Sequence, residues 1–350
     1  MMNRGEKPEV KGIGQPRSPF RKALEALTMI AGLLGLVWFG GTVGWPAIRA
    51  NIALIGGWFF LLVALYLLAQ MAFMAGWWVL LGTRARRLGY WRTFGLYLVG
   101  DSVNYFVPPA NLSGEPVKAY LLSRSIGFSR SVMSIVVHKH AELVAQALFL
   151  CGGLSIAMAQ FALPTRLRYA AVAPLVGLGL FVIVIFWALR RRVYGALLRG
   201  LMSCGIKNDR MKLPWHATAS LDRSLSRFYN TRMALFWWAT MFCLLGWCGG
   251  LLETYLVLQL LSTKAGLGTA VAVESIAMAL NSMIFFVPGR IGSAEAVRIV
   301  AFSALGLPVA QGAVYGLIRR GRELAWTVPG LLILLKMRAG IGGAPREVPG

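Results

Sequence analysis

The sequence predicts an all-α, polytopic membrane protein with six spans plus two re-entrant helical hairpins, arranged as an inverted internal repeat. Three observations predict it. Hydrophobic residues make up 57% of the 350 and charged residues only 14%, against roughly 25% charged in soluble domains. The apolar residues gather in blocks of roughly 20 or more, the length that crosses a ~30 Å hydrocarbon core. The 36 Lys and Arg, against 13 Asp and Glu, fall between those blocks, where the positive-inside rule places them.

In chain order, spans are expected at 23–43, 52–81, 131–162, 169–189, 233–261 and 310–336, with shorter apolar stretches at 93–109 and 268–288 that end at prolines. Residues 1–22 form a basic tail (Lys11, Arg17, Arg21, Lys22), residues 23–340 a single transmembrane domain, and 341–350 a second tail. Arg84, Arg86, Arg87 and Arg92 follow the second span. The longest hydrophilic loop, 190–232, opens on Arg190, Arg191 and Arg192 and carries further Lys and Arg to Arg232. All these segments share the cytoplasmic face only if 93–109 enters and returns without crossing. The stretch before Pro108 is about fifteen residues, ~22 Å as a helix, too short for the core. The same count makes 268–306 a second hairpin, entering from the other side. Broken helices of this kind persist in a membrane only where protein or water covers them.

Several classes are set aside here. The net charge of +23 comes without a nucleic-acid motif, and basic loops beside spans are sufficiently explained by anionic lipid. Cys151, Cys243 and Cys248 fall inside spans and Cys204 in the basic loop, which supports neither a disulfide framework nor a zinc pattern. The first apolar block is too long for a signal-peptide core and is read as an uncleaved span.

The two hairpins repeat in sequence. Phe106-Val107-Pro108-Pro109 leads to Gly114-Glu115-Pro116-Val117-Lys118, and Phe286-Val287-Pro288-Gly289 leads to Gly292-Ser293-Ala294-Glu295-Ala296-Val297-Arg298. Ile126-Gly127-Phe128 answers Leu305-Gly306-Leu307. In the next span, His138-Lys139 with Glu142 answers Arg319-Arg320 with Glu323. The halves run about 23–162 and 169–338, each with three crossings, so they are expected to be inverted. Inverted repeats with discontinuous helices near the midplane mark secondary transporters.

The candidate site residues are the charges these repeats put inside the membrane, where ionisable groups are costly and usually paired or functional. Glu115 with Lys118, and Glu295 with Arg298, stand three apart at the start of a helix. Each carboxylate is read either as a cap paired to the base one turn on, or as part of a substrate site with Arg290. The free N–H groups of the helix starts suit an anion such as a lipid phosphate. His138 with Glu142, and Arg319 with Glu323, share helical faces at a spacing of four. They either snorkel to an interface or, with Lys139 and Arg320, line a polar cavity. Pro108, Pro109, Gly114, Pro288, Gly289 and Gly292 are the expected breaks. Asp101, Asn104, Glu274 and Asn281 are read first as satisfying backbone and inter-helix bonds. No metal site is expected: His138 and Glu142 supply two ligands, and His140 points away. No cofactor is expected either.

The runs from Asn104 through Leu122 to Ser131, and from Phe286 through Glu295 to Leu324, resemble the two signatures of the flippase-like, lysylphosphatidylglycerol-synthase transmembrane family. The second is most similar to the subgroup encoded with hopanoid-biosynthesis genes. The resemblance covers about 25–340. It implies a bacterial inner-membrane protein, N-terminus cytoplasmic, that moves or handles polar lipids without a catalytic domain of its own. The expected ligand is a membrane lipid with an anionic, isoprenoid or hopanoid head group, and nucleic acid is not a partner. The alternatives are an integral-membrane enzyme acting on a head group through His138 or Glu142, and a non-catalytic partner of lipid-biosynthesis enzymes.

Overall fold

The computed structural model describes residues 46, 50, 53–83, 88–106, 113–162, 165–190, 215–261, 265–283 and 292–342. The span expected at 23–43 lies outside them, as do Pro108, Pro109, Pro288, Gly289 and Arg290. The described residues are helical apart from short turns and connections, and no strand occurs among them.

The long helices follow the apolar blocks closely. They are α1 (Trp58–Leu80), α4 (Phe128–Gln160), α5 (Thr165–Arg190), α7 (Met233–Leu260) and α10 (Val309–Gly342). Among the described residues, α1, α4 and α7 are long and apolar enough to cross a membrane. Large apolar side chains such as Phe60, Leu180, Ile183 and Leu335 face outward, an apolar surface that lipid accommodates and water does not.

The hairpin arms are shorter. α2 (Tyr90–Phe106) and α8 (Leu267–Met283) have 17 residues each, α3 (Glu115–Ile126) and α9 (Ser293–Ala304) 12 each. At 1.5 Å per residue these are about 26 Å and 18 Å long, below a bilayer core. Pro116 sits in the first turn of α3, where its missing N–H costs nothing. Gly292, before α9, has φ +76°, a left-handed turn that a side chain resists.

One element differs from expectation. The basic stretch 190–232 is not all loop, because Trp215–Thr231 forms α6. Leu221, Leu225 and Phe228 recur at helical spacing and are buried, while Arg223 and Arg227 stay exposed. The amphipathic pattern docks α6 on α4 and α7.

The succession of lengths recurs between the halves. Pro108 and Pro288 are 180 residues apart, and the same offset carries Leu80, ending α1, onto Leu260, ending α7. The first half closes on a helix of 33 residues and the second on one of 34. α1 packs against α7, α3 on α4, and α9 on α10. The first arms are exchanged: α2 packs on α10 and α8 on α4. α1 and α7 approach closely through small residues, as membrane helices do. A Cβ on Gly249 would lie 2.9 Å from that of Ala69, and Gly246 faces the Phe73 ring.

Candidate functional site

The first hairpin folds back tightly enough to bring its charges onto α4. Gly114 lies against the Gly100 carbonyl so closely that any Cβ there would collide with it. The Gly114 N–H donates to Asn104 Oδ1 at 2.6 Å, so the α2 side chain caps the start of α3. Asn104 Nδ2 in turn reaches Glu115 Oε1 at 3.4 Å. Lys118 Nζ pairs with Glu115 Oε2 at 2.7 Å and lies 5.3 Å from the Tyr97 ring centre and 5.7 Å from that of Trp77. From α4, Lys139 Nζ approaches Glu115 at 3.8 Å and Glu142 at 2.8 Å.

The second half repeats the plan with arginines. Arg320 on α10 holds Glu295 by two bonds, Nε at 2.9 Å and Nη2 at 3.2 Å, the fork geometry that suits a carboxylate. It also approaches Glu323 at 3.9 Å. Arg319 Nη1 donates to Glu274 on α8 at 2.7 Å, and Thr254 and Tyr315 complete that group. Arg322 pairs with Glu253 on α7 and stacks on Tyr66 at 3.6 Å from the ring centre.

These clusters are joined across the halves. Arg320 Nη1 donates to the Tyr105 hydroxyl at the end of α2, at 2.6 Å. Ser102 Oγ donates to the Thr327 carbonyl of α10 at 2.9 Å. Gln70 Nε2 links Tyr66 (3.3 Å) to Asp101 (2.8 Å). A polar seam therefore runs from Asp101 through Gln70, Tyr66 and Arg322 to Glu253 and Glu323. It returns through Arg320 to Glu295 and Tyr105.

The pairings differ from those that spacing along one helix suggests. Glu115 does pair with Lys118, but Glu295 is taken by Arg320, and Arg298 instead donates to the Ala294 carbonyl at 2.7 Å and stacks on Tyr315. Arg319 goes to Glu274 and not to Glu323. His138 turns away from Glu142: its Nε2 lies 2.9 Å from the Phe73 carbonyl and 3.7 Å from Cys243 Sγ. His140 faces Tyr229 of α6 at 2.8 Å. Among the described residues no group of three or more His, Cys, Asp or Glu is placed to hold a metal.

Accessibility grades these side chains, with Glu115 and Arg319 (13% each) falling just below Arg320. Side chains of Arg322 (2%), Glu253 (1%), Glu274 (4%), Glu295 (4%) and Lys118 (6%) are sealed. Lys139 (16%), Glu142 (23%), Arg320 (15%) and Glu323 (27%) keep a reachable edge. Each half thus presents one acid–base pair, three residues apart, backed by buried partners. Glu253, Tyr66, Gln70, Tyr105 and Tyr315 were not singled out from the sequence. A lone carboxylate in the apolar run 233–261 signals a buried cation partner, which identifies Glu253 but not the tyrosines.

No curated protein and no solved structure matches the chain significantly. Residues 26–330 match the model of the lysylphosphatidylglycerol synthase TM region. That span holds both hairpins and every charged pair described above, and the chain belongs to this family of lipid-associated membrane proteins.

Proposed function

We propose that the chain is a flippase-like lipid transporter that handles a polar or anionic lipid, with a link to hopanoid or envelope-lipid metabolism. In this reading the two halves are inverted repeats, with six spans and two re-entrant hairpins, in a bacterial inner membrane with the N-terminus cytoplasmic. It is a carrier and not an enzyme, and its partners are lipids and the enzymes that make them.

The observation that carries the proposal is the pair of accessible acid–base couples, Lys139–Glu142 and Arg320–Glu323, one from each half. A head-group phosphate can exchange with Glu142 or Glu323 for the cation beside it, since a charge-assisted bond replaces one of similar strength. Glu115 beside Lys139 and Glu295 beside Arg320 position the two cations, so the site is organised before lipid arrives. Recurrence of helix lengths, of the 180-residue offset and of the exchanged arms supports a two-fold relation between the halves. Such symmetry lets one site face either leaflet in turn.

The test is redistribution of a labelled lipid between leaflets of liposomes holding the purified chain. Wild type is expected to redistribute an anionic, isoprenoid or hopanoid lipid. A Lys139→Gln/Arg320→Gln variant that inserts normally is expected to lose that activity. Absence of movement across all three lipid classes would overturn the proposal.

A further inference from the structure

A second basic site stands apart from the charge seam, at the end of the bundle where α1 finishes. It is a cavity of about 780 Å³ between the end of α1, the α3–α4 junction and α6. Arg130, Arg223, Arg227 and Arg232 line it, over an apolar floor that includes Leu81 and Phe228. Among the described residues no carboxylate lines it. The volume falls in the ~300–1,000 Å³ range of small-molecule sites.

We infer that this cavity binds a phosphate ester, and that the four arginines are its phosphate-reading groups. Arginine presents a planar fork that grips phosphate oxygens two at a time, and it keeps its charge throughout. The four come from separate places in the chain: Arg130 from the first turn of α4, Arg223 and Arg227 one turn apart on α6, and Arg232 from the α6–α7 turn. Four arginines lining one concavity make a positive field that favours an anion there. The first turn of a 33-residue helix adds a partial positive charge on the same side.

Packing and hydrogen bonds hold the walls. Leu221, Leu225 and Phe228 are buried beneath α6, and His140 ties Tyr229 to α4. The Arg232 N–H donates to the Phe228 carbonyl at 2.7 Å and fixes the turn into α7. The floor is likewise fixed, because Trp77 Nε1 donates to Ser134 Oγ at 3.3 Å. The cavity is therefore a formed site. An apolar floor beside exposed helix surfaces suits a phosphate carried on a lipid, though the same fork reads free phosphate. This inference does not depend on the transport proposal.

The experiment is native mass spectrometry of the full-length chain in detergent with equimolar phosphatidylglycerol and phosphatidylcholine. A parallel arm adds millimolar inorganic phosphate. Wild type is expected to retain phosphatidylglycerol in excess, and R223Q/R227Q to retain about tenfold less or worse. R223K/R227K, which keeps charge but loses the fork, should fall between them. R92Q/R166Q, which removes the same charge from exposed positions outside the cavity, should match wild type. Displacement by inorganic phosphate supports a cavity that reads phosphate itself; resistance to it, with loss in R223Q/R227Q, supports one that takes phosphate on a lipid. Equal loss in R92Q/R166Q would overturn the inference, since general attraction to anionic lipid then accounts for the binding. So would retention that shows no preference for phosphatidylglycerol together with no binding of phosphate.

Discussion

Replacing Glu253 by Leu should be among the most damaging single changes in the chain. Its carboxylate is 1% exposed and pairs with Arg322, itself 2% exposed. Without it the guanidinium keeps the Tyr66 ring and one distant acid, Glu323 at 3.8 Å, whose side chain is 27% exposed. Removing one partner of a buried ion pair costs about 3–5 kcal/mol. Partial takeover by Glu323, worth about 1 kcal/mol or less at a half-open position, leaves a loss of about 3 kcal/mol. The pair is also incompletely satisfied, since Glu253 Oε1 and Arg322 Nε have no hydrogen-bond partner among the described residues. An apolar pair should therefore restore most of the loss, and E253L/R322M should be more stable than E253L by about 2 kcal/mol. The assay is reversible unfolding in mixed micelles titrated with dodecyl sulfate, read by tryptophan fluorescence, for wild type, both single variants and the double. If the two losses add to within about 0.5 kcal/mol, the residues are not coupled and the buried-pair reasoning fails.

Other expectations follow from the same geometry. Tyr105→Phe removes one hydrogen bond from Arg320 and should cost about 1.5 kcal/mol in that unfolding assay while leaving the Glu295 fork in place. Glu295→Lys should abolish lipid redistribution in liposomes with insertion intact; unchanged redistribution would remove the second hairpin from the site. Gly114→Ala forces a methyl into the Gly100 carbonyl and should destabilise by about 1–3 kcal/mol, seen as aggregation on size-exclusion chromatography. His140→Phe loses the bond to Tyr229 and should speed hydrogen exchange across Trp215–Thr231, while exchange in α1 stays as in wild type.

Much of the fold is legible because membrane helices announce themselves by length. The block 233–261 became α7 at Met233–Leu260, and the arms 93–109 and 268–288 became two helices of 17 residues. α6 was hidden because a run of arginines reads as loop, although Leu221, Leu225 and Phe228 carry a helical period. The site was legible as a set of residues and not as a set of pairs. Spacing along one helix reveals Glu115 with Lys118, but it offers Arg298 to Glu295 when Arg320 takes that carboxylate from another helix. Pairs between helices depend on rotation and depth, which a single chain's periodicity does not contain. Tyr66 and Tyr105 were invisible for a related reason: a hydroxyl in an apolar run looks like an interfacial aromatic until its partner is placed beside it.

The exchange of arms bears on the order of synthesis. α2 emerges early, with Ser102 and Tyr105 facing partners, Thr327 and Arg320, that lie more than 200 residues downstream. Until the last helix is made, that surface has no mate, and the nascent first half must wait in the bilayer with polar groups uncovered. The N-terminal half therefore reaches its final packing only when the C-terminal helix is in place.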